Sequence, residues 1–197
     1  MPTTEVEIET ERLRLRALRP DDAASIAIQV NDWEVVRYTT SIPYPYDVEM
    51  ARTFIASQAA RWAAWYARGR PAAPLAEEIA FAIARKSDRE LVGCIGLQPG
   101  ETGGLEFGYW VGKTYWNRGY ASEAVGALSR FAFETLGVDE IWAAAVPVND
   151  ASHRVLEKNG FVIAGAGSRE SEMRGHPLPV ITRKLTRGQW LAARGHP

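Results

Sequence analysis

Residues 105–136, LEFGYWVGKTYWNRGYASEAVGALSRFAFETL, constrain the fold more than any other part of the chain. Leu105 to Val111 is dense in aromatic and β-branched side chains and reads as a strand. From Ala121 onward, Val125, Leu128, Ala132 and Leu136 recur at spacings of three and four, which predicts an amphipathic helix stopped by Gly137. Between the two lies the turn Trp116-Asn117-Arg118-Gly119-Tyr120-Ala121. Small residues at Gly119 and Ala121 let backbone N–H groups approach a ligand closely. The helix behind them presents unpaired N–H donors and the positive end of its dipole, which together suit a phosphate or pyrophosphate. Arg118 adds a charge-assisted contact. A small-residue turn before a helix serves tight packing equally well, so the rest of the chain has to decide.

Two blocks decide it. The first is Glu106-Phe107-Gly108-Tyr109-Trp110 followed by Trp116-Asn117-Arg118-Gly119-Tyr120-Ala121-Ser122-Glu123-Ala124. The second is Asn149-Asp150-Ala151-Ser152-His153-Arg154-Val155-Leu156-Glu157-Lys158-Asn159-Gly160-Phe161. In order and spacing they resemble the acetyl-CoA-binding core of the GCN5-related N-acetyltransferase (GNAT) superfamily. Within it they resemble the branch that includes the RimJ/RimL-type ribosomal-protein N-terminal acetyltransferases. The resemblance runs from Glu11 to Leu185 and is rich in motifs only in its second half.

The remaining sequence is consistent with such an enzyme. A chain of 197 residues, 46% hydrophobic and 24% charged, is expected to form one domain over residues 1–197 with a motif-rich core at 79–185. A formal net charge of −1 gives no basic imbalance of the kind that marks nucleic-acid binding. No apolar run approaches the ~20 residues of a membrane helix. The acidic start MPTTEVEIET shows no signal peptide, so a cytoplasmic protein is expected. Cys94 is the one cysteine, which leaves no intrachain disulfide, and its apolar surroundings from Leu91 to Leu97 predict a buried, inert thiol. His153, His176 and His196 are too scattered for a metal site.

In chain order, Glu11 to Leu18 alternates Arg12, Leu13, Arg14, Leu15, Arg16 as a half-buried strand, its arginines on a solvated face. A helix starts at Pro20-Asp21-Asp22, capped by Asp21 or Asp22. Asp47 caps a helix from Val48 to about Arg68, with Met50, Phe54, Ile55, Ala59 and Trp62 as its apolar stripe, extended by Trp65 and Tyr66. Residues 69–74 read as a mobile loop. Strands follow at Glu78–Arg85, Leu91–Leu97 and Glu140–Val148, then a helix to Lys158, a strand from Gly160, a polar mobile loop at Ser168–Gly175 and a strand at Leu178–Leu185. A tail helix covers Arg187 to Arg194. The fold class is α/β, with a central, mixed, mostly antiparallel sheet flanked by helices. The resemblance implies the acetyltransferase fold, in which the strands Leu105–Val111 and Glu140–Pro147 splay apart.

The resemblance also implies roles. The backbone at Tyr109, Trp110 and Val111 holds the pantetheine arm, with the N–H of Trp110 or Val111 polarising the thioester carbonyl. The turn Trp116, Asn117, Arg118, Gly119, Tyr120, Ala121 and Ser122 binds the pyrophosphate. Asn149, itself a favoured helix cap, contacts the pantetheine. Many relatives carry a proton-donating Tyr where this chain has Leu156, and Ser152 is the candidate acid in its place. Glu106 is the candidate base, and an ordered water is the alternative. Glu123 is structural, since a carboxylate favours a helix's first turn in any case. Trp33, Glu34, Arg37 and Tyr38 are candidates for acceptor contact. The reaction so implied is acetyl transfer from acetyl-CoA to a primary amine, by direct attack in a ternary complex without a metal. The amine is a protein N-terminus or a small molecule, and a homodimer stays open. A non-catalytic acyl-CoA-binding regulatory module is the rival reading. A nucleotide-binding protein is weaker, because no G-x-x-x-x-G-K-[ST] loop and no early dinucleotide fingerprint are present.

Overall fold

The computed structural model describes residues 6–68, 75–100 and 104–195. The expected loop at 69–74 lies outside them. The described strands are β1 (Ile8–Glu9), β2 (Leu13–Ala17), β3 (Ile79–Arg85), β4 (Leu91–Pro99), β5 (Leu105–Val111), β6 (Glu140–Ala145), β7 (Val162–Arg169) and β8 (Leu178–Thr186). They form one sheet in the order β1-β2-β3-β4-β5-β6-β8-β7. Every neighbouring pair is antiparallel except β5 and β6. The helices are α1 (Ala23–Val30), α2 (Trp33–Val36), α3 (Val48–Ala67), α4 (Tyr120–Glu134), α5 (Asp150–Lys158) and α6 (Arg187–Arg194).

Alternation along the strands divides the core. Ile79, Phe81 and Ile83 of β3 and Leu105, Phe107 and Val111 of β5 face α4 and α5, where they join Val125, Leu128 and Leu156. Ala80 and Ala82 of β3, Cys94 of β4 and Trp110 of β5 face α1 and the first half of α3, meeting Ile26, Val30, Ala51 and Ile55. With both faces covered, β3 and most of β4 are buried residue after residue, and such strands read as unbroken apolar runs. Neither α4 nor any other described helix is long and apolar enough to cross a membrane.

Three expectations need correction. The arginines of β2 are not all on a solvated face: Arg16 is buried with Asp22, donating to its two carboxylate oxygens at 2.7 and 2.8 Å. A buried guanidinium is tolerated because this bidentate partner is buried beside it. The stripe of α3 is rotated: Met50 is exposed, whereas Ala51, Ile55, Gln58, Trp62 and Trp65 are buried. Gln58 is accommodated there because its side-chain oxygen accepts from the Ala80 N–H at 2.9 Å, supplying a partner to the backbone of β3. The polar stretch 168–175 is tied down: β7 continues to Arg169, and the buried Ser171 hydroxyl donates to Thr40 O at 2.7 Å. The Arg174 guanidinium donates to Val36 O, Ile42 O and Thr39 Oγ1. The hydrogen bonds that fix this loop come from a segment more than a hundred residues earlier, so local polarity could not reveal them.

Candidate active site

Strands β5 and β6 pair only over Leu105–Ile141, Glu106–Trp142 and Phe107–Ala143. Beyond Phe107 they part, while β5 stays paired with β4 as far as Val111. The Gly112 N–H donates to Val92 O on the β4 side at 2.9 Å. Backbone groups alternate along a strand, so those of Trp110 also face β4 and those of Tyr109 and Val111 face the opening. Of the two N–H groups considered for the thioester carbonyl, Val111's is therefore the one at the open edge. The Val111 carbonyl is already held by the indole N–H of Trp116 at 2.7 Å.

The turn after β5 is shaped by two left-handed residues, Asn117 at φ 59 and Gly119 at φ 80. Asn tolerates that region, whereas Gly119 is the residue type it most favours. Gly119 is the N-cap of α4, and no side chain caps the helix. The N–H groups of Tyr120, Ala121 and Ser122 thus face outward at the positive end of a fifteen-residue helix. Arg12 fastens this turn from behind. Its Nη1 donates to Arg118 O at 2.9 Å, its Nε donates to Glu123 at 2.7 Å, and its guanidinium lies 5.0 Å from the centre of the Tyr120 ring. Glu123 also accepts from the Arg12 N–H and the Thr10 hydroxyl. Burial pushes the Glu123 carboxyl up, but these bonds outweigh it and hold it below the usual carboxylate range. Ser122 Oγ accepts from the Asn159 amide at 3.1 Å, linking α4 to the end of α5.

Across the opening, Asn149 caps α5, its side-chain oxygen accepting from the Ser152 N–H at 3.2 Å. The Ser152 hydroxyl is 2.8 Å from that of Tyr109, on the α5 face of β5. Burial pushes the Tyr109 phenol up to about 12, opposed by the Ser152 bond. Leu156, one turn after Ser152, is fully buried in the core. On the other face, Glu106 is paired with Arg169 of β7 at 2.8 Å, its side chain 13% exposed. Glu78, just before β3, has its carboxyl pushed up by burial, against the pull of Arg61.

These groups line one continuous cavity of about 1510 Å³. Ligand pockets typically run from about 300 to 1,000 Å³, so there is room for two substrates. Glu106, Tyr109, Trp110, Val111, Trp116, Asn117, Gly119, Tyr120, Ala121, Ser122, Asn149 and Ser152 all contribute to its wall, as do Glu34, Arg37 and Tyr38. Two candidates do not. Trp33 meets the Tyr44 ring at a tilt of 59°, centroids 5.4 Å apart, and carries Arg174 over its own ring. Arg118 offers the turn its backbone carbonyl for Arg12 rather than a side chain to the cavity. The sequence reading missed Glu78, Arg169 and the Arg12 clip. Nothing local marks them, since each acquires its meaning from a partner on another strand or helix.

Comparison with known proteins agrees with this geometry. The family described as an acetyltransferase (GNAT) domain matches residues 12–162. An uncharacterized N-acetyltransferase of Bacillus subtilis, YoaA, is 30% identical over 172 residues, covering 86% of this chain and 90% of the relative. The uncharacterized N-acetyltransferase p20 of Bacillus licheniformis is 28% identical over 191 residues, covering 92% and 96%. Among solved structures, the ribosomal-protein-S5-alanine acetyltransferase of Vibrio fischeri has a TM-score of 0.72 at 18% identity, covering 94% of this chain and 99% of that one. The microcin C7 self-immunity acetyltransferase MccE, solved with acetyl-CoA and AMP, has a TM-score of 0.69 at 12% identity, covering 90% and 93%. The splayed sheet, the uncapped helix at its mouth and these matches together place the chain in the GNAT family of acetyltransferases.

Proposed function

We propose that the protein transfers the acetyl group of acetyl-CoA to a primary amine by direct attack within a ternary complex. The observation that carries this reading is the parting of β5 and β6, with the open N-terminus of α4 at one end and carboxylates at the other. The N–H groups of Tyr120, Ala121 and Ser122, with the backbone of Asn117 and Gly119, bind the pyrophosphate. The open edge at Tyr109 and Val111 takes the pantetheine arm as a partial strand, with Asn149 opposite. The Val111 N–H, fixed in the strand before the reaction begins, stabilises charge on the thioester oxygen.

The amine enters from the face that carries Glu106, past Glu34, Arg37 and Tyr38. Glu106 accepts a proton from the attacking nitrogen, directly or through water, while Arg169 orients its carboxylate. Ser152, on the opposite face, serves the departing sulfur. The two proton-handling groups thus lie on opposite sides of one strand, and the acyl carbon sits in the gap between them. Holding amine and thioester in that gap is itself a large share of the catalysis. The absence of a Tyr at Leu156 does not favour the regulatory-module reading, because that position faces the core rather than the cavity. The acceptor is a protein N-terminus or a small amine.

The test is acetyl-CoA-dependent thiol release across peptides with varied N-termini, aminoglycosides, polyamines and amino acids, with calorimetric titration of acetyl-CoA in parallel. Release with one amine class identifies the acceptor. Glu106→Gln is expected to lower kcat about 10²-fold, within the usual contribution of a general base, and to leave acetyl-CoA affinity unchanged. Undiminished turnover removes Glu106 as the base, and failure to bind acetyl-CoA defeats the whole assignment.

A further inference from the structure

The mechanism above leaves the half-buried Tyr109 hydroxyl unused. Tyr109 reaches the α5 face of β5 and ends 2.8 Å from the Ser152 hydroxyl. Both residues line the cavity, and Ser152 lies in the first turn of α5. In a pair of hydroxyls one O–H points into the pair and the other is free to donate outward. When the phenol donates to Ser152, the serine O–H is the outward donor.

We propose that Tyr109 and Ser152 form a two-hydroxyl relay, in which the proton given to the departing thiolate is replaced from the Tyr109 phenol. This rests on the acetyltransferase reading of the same cavity. The balance is as follows. The amine lone pair forms the N–C bond, and the C–S bonding pair leaves on sulfur. Sulfur takes the proton of Ser152, and Ser152 takes that of Tyr109 along the existing hydrogen bond. The negative charge rests on the phenol oxygen until solvent in the open cavity returns a proton. The amine's own proton leaves on the Glu106 side, so no net proton is gained or lost.

The chemistry favours the pair over Ser152 alone. An aliphatic alkoxide is a stronger base than a phenolate, so charge left on serine is less stable than charge passed to tyrosine. The first turn of α5 adds positive dipole potential where that charge develops. Burial pushes the phenol up to about 12 and so disfavours the phenolate, which makes charge on Tyr109 short-lived and the return of its proton from solvent part of the relay. The second hydroxyl comes from the strand, while Leu156, one turn beyond Ser152 on α5, is buried in the core and offers none.

The experiment compares wild type, Tyr109→Phe, Ser152→Ala and the double variant in the amine-panel assay, with acetyl-CoA titration and thermal melting of each. Phe keeps the ring and its packing and removes only the hydroxyl. The relay predicts a kcat loss of about 10²-fold for Tyr109→Phe, with the affinity for acetyl-CoA and Tm within error of wild type. It also predicts that the double variant is hardly slower than either single one, because the two residues act as a unit. An active wild type with an undiminished Tyr109→Phe overturns the relay alone and leaves Ser152 as sole donor. Additive losses, or a loss of Tyr109→Phe activity explained by weaker acetyl-CoA binding, also overturn it. A wild type that binds acetyl-CoA and acetylates no amine overturns both the relay and the reading beneath it.

Discussion

Arg12 gives the sharpest test of how the pyrophosphate turn is held. Replacing it with Ala removes the bond to Arg118 O and the pairing with Glu123, at 2.9 and 2.7 Å. Hydrogen bonds to charged groups contribute about 1.5–3 kcal/mol each when sheltered. Here the Arg12 side chain is 45% exposed and that of Glu123 16%, so solvent screening reduces the combined loss to about 1–1.5 kcal/mol. For a chain of this size that lowers Tm by about 3–5 °C. The turn then loses the only side chain that pins its carbonyl from behind among the described residues. Acetyl-CoA affinity is expected to fall about fivefold, or ~1 kcal/mol.

Arg12→Lys keeps the charge beside Glu123 but has no fork to span both acceptors. It should restore most of the Tm and little of the affinity. The clip also sets an acid limit. Glu123 has its folded carboxyl below the usual value near 4.5, so its contribution is fully present above that pH and is lost as pH falls through the lowered folded value. In Arg12→Ala this part of the acid dependence flattens. Calorimetric titration and melts between pH 3 and 7 measure all three effects. An Arg12→Ala protein that melts earlier yet binds acetyl-CoA normally would refute the idea that the clip shapes the turn.

Two further outcomes follow from the packing around β4. A Cβ on Gly93 meets the Trp110 carbonyl oxygen at 2.2 Å, whereas one on Gly112 meets the tip of the Gln29 side chain at 2.1 Å. Urea unfolding should therefore show Gly93→Ala losing about 3 kcal/mol or more, because strand backbone has to move, and Gly112→Ala about 1 kcal/mol for the displaced Gln29 bonds; equal losses would count against this picture. Cys94 is buried and its thiol is pushed up by burial, so a disulfide reagent should label nothing in the native protein and one thiol in denaturant. Rapid native labelling would show the α1 side of the sheet to be open.

What could be read from the sequence depended on the range of the interactions. Leu105–Val111 and the helix after it are governed by local periodicity and one glycine, and the strand falls where the pattern put it. The two-residue β1 has no pattern of its own and exists because Ile8 and Glu9 pair with Leu15 and Arg14. The buried Arg16–Asp22 pair looks, in sequence, like one more solvated arginine, and Gln58 like one more exposed amide. Each is buried because a distant or facing partner satisfies it. At the site, the motif blocks picked out a turn, a strand and Ser152 that the structure brings to one cavity wall. They could not show that Arg169 stands against Glu106 or that Tyr109 brings a side chain as well as a backbone edge.

The parity of β5 has a consequence for how proteins of this shape change their preferences. Odd-numbered residues of that strand look toward α4 and α5, and even-numbered ones toward α1 and α3. On the proposed mechanism, one seven-residue strand carries two interleaved specifications, one for the donor and one for the acceptor. A substitution at an even position can then retune which amine is accepted without disturbing how acetyl-CoA is held. Drift in acceptor choice and constancy of the donor are compatible because neighbouring residues along the strand never share a side.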